Sequence, residues 1–303
     1  MEYRPDLFPA CEVGPQPLLA VDISADYPAR PGVLREVRFE IQAGEILGLV
    51  GESGSGKSTI ALAICRLLEL RGGVVRGSIR FCGRDLMLAK NRALRRLRGK
   101  EISIVMQSPM TALNPALRLE TQLREVWRAH RAESWNEGRK HACALLERMG
   151  LTGPESFLRR YPRELSVGQA QRVVIAMAVM HGPKLLIADE PTSALDPATG
   201  REILELFRAS NRDSGAAILY VSHDLQSVAT LCHRVAVMYE GRVAGWGTPE
   251  EMLHCAAGGD RAQFGHGQRN DRAFHSADHG GGVSEGERIA GDEVNHPAPL
   301  RRI

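Results

Sequence analysis

Apolar and polar positions alternate along "PLLAVDI" (17–23) and "VLREVRFEI" (33–41), a period of two that predicts half-buried strands. "EILGLVG" (45–51) is apolar at nearly every position, as in a strand covered on both faces. It ends in glycines and runs into "KSTIALAICRLLEL" (57–70), a helical run, so the chain opens a βαβ unit. "VRGSIRFCGRDL" (75–86) reads as a short hairpin. From about Thr111 to Met180 the period turns helical, with "LRLETQLREVWRAH" and "NEGRKHACALLERMG" ending at Gly150, a C-cap signal. In "LSVGQAQR" (165–172) Ser166 is placed to N-cap a helix continued by "VVIAMAVM". Strand patterns return in "KLLIADE" (184–190) and "AAILYVSHD" (216–224), separated by a helical run that stops at Gly215. "RVAVMY" and "RVAGWG" about the turn "EG" predict a last hairpin, and the core is read as α/β with an inserted helical block.

The two ends carry no such pattern. Residues 1–17 hold four prolines and read as an irregular arm; order is expected from Leu18. Beyond Cys255 the chain is rich in Gly, charge and His, and 256–303 is expected to be disordered. Its histidines, His266, His275, His279 and His296, are irregularly spaced, which favours a solvated tail over a metal site. There is no internal repeat.

Composition narrows the function classes. Of 303 residues 43% are apolar and 5% aromatic, ordinary for a globular protein with a sizeable core. A net charge of +3 from 39 basic and 36 acidic residues gives no field that would argue for nucleic acid. The local exception, "RALRRLRGK" (92–100), reads first as a solvated helix face, with an acidic partner or lipid headgroups as the other reading. Six cysteines lie apart without a CxxC pair, so neither a zinc site nor a disulfide framework is indicated, and a reducing compartment fits. No run of 18 apolar residues and no signal-like N-terminus occurs, so a cytosolic chain that does not cross the membrane is expected.

The chemistry sits at the strand ends. "GESGSGKST" (Gly51, Glu52, Ser53, Gly54, Ser55, Gly56, Lys57, Ser58, Thr59) fits G-x-x-x-x-G-K-[ST] between a buried strand and a helix, the context a phosphate-binding loop needs. Its glycines let backbone N–H groups curl around phosphate oxygens at a helix N-terminus. Lys57 is expected to reach the β and γ phosphates, and Ser58 to offer its hydroxyl to a magnesium ion. "LLIADE" ends a strand in two carboxylates: Asp189 for the metal, Glu190 to orient or deprotonate the attacking water. His223 in "YVSHD" is placed to meet the γ phosphate, and Gln107, after "ISIVM", to set its amide near the metal and the water.

Taken in order, "GESGSGKST", "MQSPMTALNP", "LSVGQAQR", "LLIADEPTSALD" and "YVSHD" resemble the Walker A, Q-loop, signature, Walker B with D-loop, and H-loop of ATP-binding cassette (ABC) transporter ATPase subunits. The resemblance covers about 18–253 and implies an α/β P-loop (RecA-like) core with an antiparallel β subdomain and an inserted α-helical subdomain at about 111–180, within an ATPase domain of 18–255. It implies ATP and Mg2+ as cofactors, with Ser58, Gln107 and Asp189 as metal ligands and Glu190, His223 and Gln107 as the catalytic set. It also places the adenine ring on Tyr27, 24 positions before Gly51. Ser166, Gly168 and Gln169 would serve the ATP of a second cassette packed head to tail. The finer resemblance, through "GESGSGKST", "MQSPMTALNP" and "VMYEGRV", is to the peptide and nickel import group. It implies two membrane-spanning permease subunits, a second ATPase that is a copy or a paralogue, a periplasmic or surface binding protein, no nucleic acid, and a peripheral place on the cytoplasmic face of the inner membrane. The chain departs from that group after "GTPEE", where its usual motifs give way to the Gly-rich tail, which leaves the cargo open. It departs again at Val167, where most members carry glycine; the substitution crowds the partner's ATP without removing a donor. A soluble non-transport ABC ATPase and a regulatory cassette with little hydrolysis remain the alternative readings.

Overall fold

The computed structural model describes residues 16–251; all but the end of the expected arm, and the expected tail at 256–303, lie outside the described residues. Strands β1 (Leu19–Tyr27) and β2 (Arg30–Ile41) form an antiparallel hairpin, followed by β3 (Ile46–Gly51) and helix α1 (Lys57–Ile64). Then come β4 (Val74–Phe81), β5 (Arg84–Asp85), α2 (Asn91–Leu97) and β6 (Ile102–Val105). Helices α3 (Pro109–Ala112), α4 (Leu119–His130), α5 (Trp135–Arg148), α6 (Pro154–Arg159) and α7 (Val167–Val179) follow without a strand between them. The chain returns through β7 (Leu185–Asp189), α8 (Pro197–Ser214), β8 (Ala217–Val221), α9 (Leu225–Leu231) and the hairpin of β9 (Arg234–Tyr239) and β10 (Arg242–Gly247).

These strands make two sheets. The smaller is antiparallel, in the order β2-β1-β4-β5. The larger runs β10-β9-β3-β8-β7-β6, parallel throughout except for its β10 edge. Because side chains alternate across a strand, each buried strand feeds two cores. Leu47 and Leu49 of β3, Leu185 and Ile187 of β7, and Ala217, Leu219 and Val221 of β8 pack toward α1 and the small sheet. Ile46 and Val50, Leu186 and Ala188, and Ile218 and Tyr220 pack toward the helices. The near-continuous apolar runs in the sequence are the signature of this arrangement.

The helix predicted over 57–70 is shorter than its pattern. α1 stops at Ile64; Arg66 turns to φ +52°, and a separate 3-10 turn covers Glu69–Arg71. The interruption has a partner: the Arg98 guanidinium donates to the carbonyls of Cys65 and Arg66 at 2.7 and 2.5 Å. It satisfies carbonyls that a continuing helix would have used itself. α9, in a stretch for which the sequence pattern predicts no element, is a short helix N-capped by Asp224, whose carboxylate accepts from the backbone N–H groups of Gln226 and Ser227.

Candidate functional site

The parallel strands β3, β7 and β8 end at one edge of the large sheet, and the chemistry-bearing segments leave from those ends. β3 has β8 on one side and β9 on the other, so its carboxyl end is a topological switch point, where α/β sheets place their ligands. The loop after β3 winds back into α1 through Gly56, which caps the helix at φ +105°. A Cβ at Gly56 would lie 2.6 Å from Leu34 Cδ2, so the loop takes this path only with glycine there. The first turn of α1 carries no acidic residue, and its N–H groups remain suited to an anion.

An open cleft of about 380 Å³ lies against this loop, lined by Tyr27, Arg30, Val33, Ser53, Gly54, Gly56, Lys57, Ser58, Thr59, Gln107, Glu190 and His223. Five segments far apart in sequence meet there. Tyr27 is half-buried at the end of β1 and packs against the core beneath it. Lys57 donates to the carbonyls of Gly51 and Glu52 at 2.8 and 2.9 Å, so its ammonium is held across the mouth of the loop. Burial pulls the Lys57 pKa below the usual lysine range, while the Glu190 and Asp189 carboxylates oppose that. Ser58 Oγ donates to Asp189 Oδ1 at 3.1 Å. Asp189 is buried, and its pKa is raised chiefly by burial; the Ser58 hydrogen bond acts the other way.

Glu190 stands at φ +48°, a left-handed backbone that a side chain rarely adopts. Its N–H donates to Val221 O at 2.9 Å, and its carbonyl accepts from Ser193 Oγ at 3.0 Å, so the turn is fixed from both sides. The bend brings Oε2 to 2.8 Å from His223 Nδ1, with the carboxylate side chain 13% exposed and the imidazole 57%. An acid at the sheet edge thus faces the cleft with a histidine on it, while Ser58 and Asp189 supply a hydroxyl and a carboxylate oxygen. Hard oxygen donors of this kind suit a magnesium ion. Two lining residues were absent from the sequence reading, Arg30 and Val33. Only the register of the β1–β2 hairpin, in which Tyr27 pairs with Arg30, could have pointed to the first.

The family model described as ABC transporter matches residues 34–193. The oligopeptide transport ATP-binding protein OppD of Bacillus subtilis is 43% identical over 222 residues, 73% of this chain and 62% of OppD. The probable D,D-dipeptide transport ATP-binding protein DdpD of Escherichia coli is 43% identical over 244 residues, 79% of this chain and 74% of DdpD. The chain belongs to the ABC transporter family. Its backbone agrees: the dimeric ATP-binding cassette MJ0796, in a post-hydrolysis state bound to ADP and Pi, superposes with a TM-score of 0.67 at 28% identity, covering 76% of this chain and 98% of that one. CbiO1 of Clostridium perfringens, part of the transporter complex cbiONQ, gives 0.66 at 30%, covering 78% and 91%. The cassette therefore has the P-loop α/β fold of these neighbours.

In this ABC cassette the signature segment stands apart from the cleft, since Ser166, Gly168 and Gln169 do not line it. They form the start of α7. Ser166 Oγ accepts from the Gln169 N–H at 3.2 Å, and Gln169 Oε1 accepts from the Ser166 N–H at 3.1 Å, a reciprocal capping box. A Cβ at Gly168 would come 2.8 Å from Thr199 Cγ2 of α8, so this glycine serves helix packing within the subunit as well as any approach from outside. Val167 is 41% exposed on the first turn. Its side chain leaves the capping box in place. Among the described residues no helix is long and apolar enough to cross a membrane.

Proposed function

We propose that this chain is the ATP-binding and ATP-hydrolysing subunit of a membrane importer for peptides, with metal complexes such as nickel chelates as the alternative cargo. The observation that carries the reading is the single cleft that gathers Tyr27, Lys57, Ser58, Gln107, Glu190 and His223 around a phosphate-type loop. The peptide cargo is supported by the names of the relatives, OppD and DdpD, of which the chain spans 62% and 74% of the length.

The residues divide the work by position. Tyr27 offers its ring to the adenine, and the N–H groups of the 51–59 loop with the α1 N-terminus take the phosphate oxygens. Lys57 exchanges its two carbonyl partners for β and γ phosphate oxygens, which bind an ammonium more strongly than neutral carbonyls do. Ser58 and Asp189, with Gln107, would hold Mg2+, which would supply neutralisation of phosphate charge. Glu190 accepts a proton from the attacking water as the water oxygen bonds to the γ phosphorus and the bridging P–O bond breaks toward ADP. His223 holds the Glu190 carboxylate from one side and reaches toward the γ phosphate.

Ser166, Gly168 and Gln169 would act on the ATP of a second cassette, a copy or a paralogue, which accords with their absence from this subunit's cleft. ATP held between two cassettes ties them together, and hydrolysis releases the tie. Opening and closing would pass to two permease subunits, with a periplasmic or surface binding protein delivering cargo and the cassette peripheral on the cytoplasmic face of the inner membrane. The regulatory reading has one support, Val167, and Val167 bears on the partner's site rather than on Lys57 and Glu190. ATP titration by calorimetry tests the reading: Lys57→Ala should weaken binding roughly tenfold or more. An unchanged affinity would count against the assignment of the loop.

A further inference from the structure

Arg30 stands opposite Tyr27 in the antiparallel register of β1 and β2, across a turn of two residues, Pro28 and Ala29. The hairpin tip that presents the pair is tied down by hydrogen bonds to Asp26. The Asp26 carboxylate accepts from the Gly32 N–H at 2.5 Å and from the Arg76 guanidinium at 2.5 Å, and these partners keep it below the usual carboxylate pKa range. From this mount the Arg30 side chain reaches across to the phosphate loop. Its Nη2 donates to Gly54 O at 3.1 Å, and both terminal nitrogens lie within 3.8 Å of the point where a Gly54 side chain would begin. Among the described residues no carboxylate pairs with Arg30, so its charge is not spent inside the fold. It lines the same cleft as Tyr27 and Lys57.

Geometry and charge together define a position. A nucleotide whose base lies on Tyr27 and whose terminal phosphates lie at Lys57 must lead its ribose and first phosphates past the surface between them. Arg30 occupies that surface. Its planar fork of donors suits phosphate oxygens, and a single carbonyl bond to an exposed loop is a weak partner to exchange for them. We propose that Arg30 is a nucleotide-binding residue that holds the α and β phosphates, joining the adenine platform to the phosphate loop. This rests on the reading of the cleft as the ATP site. Lys57 would then meet the outer phosphates and Arg30 the inner ones, so ADP should keep the Arg30 contact in full after hydrolysis.

The test is equilibrium binding of ATP, ADP and adenosine to the full chain and to Arg30→Ala and Arg30→Lys, at low and high salt, with Lys57→Ala in parallel. Arg30→Ala should weaken ATP and ADP alike by roughly three- to tenfold, the lower figure allowing for solvent exposure. Adenosine binding should be unchanged, the loss should shrink at high salt, and Arg30→Lys should recover part of it. Unfolding temperature serves as the control for Arg30→Ala, because a side chain with one exposed hydrogen bond should not move it. The proposal is overturned if ATP affinity is unaltered in Arg30→Ala, or if adenosine is lost as strongly as ATP, which would make Arg30 a support for Tyr27 only. If Lys57→Ala also leaves ATP affinity unaltered, it is the underlying reading of the cleft that fails.

Discussion

Replacing Glu190 by alanine and, separately, by glycine divides the two things this residue does. Both changes remove the carboxylate and its 2.8 Å contact to His223, so that loss cancels in the comparison. What differs is the backbone. Position 190 sits at φ +48°, where a residue with a Cβ is strained by about 1–2 kcal/mol and glycine is not. Glycine gives back part of this through the greater freedom of its unfolded chain, about 0.4–1 kcal/mol. The net expectation is that Glu190→Gly is more stable than Glu190→Ala by about 1 kcal/mol, or about 2–4 °C in unfolding temperature for a domain of this size. Urea unfolding measures it as a shift in midpoint at unchanged slope. An alanine variant equal to or more stable than the glycine variant would refute the claim that the turn after β7 stores backbone strain to aim an acid at the cleft.

Asp189→Asn should stabilise the nucleotide-free protein at neutral pH. Burial raises the Asp189 pKa, so the group contributes stability only while protonated, below its unfolded value, and loses it as pH rises through the folded one. The advantage of asparagine should therefore vanish on acidification through the carboxylate range, followed by thermal melts across pH; a gap that is constant with pH would contradict it. Gly168→Ala should destabilise the subunit by about 1–3 kcal/mol through the 2.8 Å approach to Thr199, read by chemical denaturation without nucleotide. Val167→Gly should leave this subunit's ATP affinity unchanged and alter turnover only at the partner's site; no change at either site in the assembled transporter would make the substitution neutral.

Much of the fold was legible because it is written in periodicity. β3, β7 and β8 are apolar at every position or nearly so since both of their faces are covered, and the alternation of β1 and β2 marks a sheet with one covered face. The end of α1 was not legible, because the partner of its free carbonyls, Arg98, lies more than 30 positions away in sequence. α9 carries no sequence expectation: its seven residues show neither a clear 3.6-residue period nor the run of charge that marks α2.

The site divides in the same way. Lys57, Ser58, Glu190 and His223 could be picked out from sequence by motif, and the fold lines one cleft with them; Asp189, picked out with them, accepts a hydrogen bond from Ser58. Arg30 could not, since its place depends on a cross-strand register rather than on a motif. The positive φ of Glu190 and the packing of Gly168 on Thr199 are likewise tertiary facts. Gly168 looks purely functional in the sequence, yet in the fold a Cβ there would lie 2.8 Å from Thr199 Cγ2 of α8.

The most direct test of the central claim is single-turnover release of the γ phosphate by the assembled complex, carrying either the wild-type chain or Glu190→Gln, each loaded with saturating Mg-ATP. The account predicts that both load with ATP and that Glu190→Gln releases phosphate from this site about 100-fold or more slowly, the loss expected when a general base is removed. Equal rates would contradict the role of Glu190, and failure of both forms to load would contradict the cleft itself.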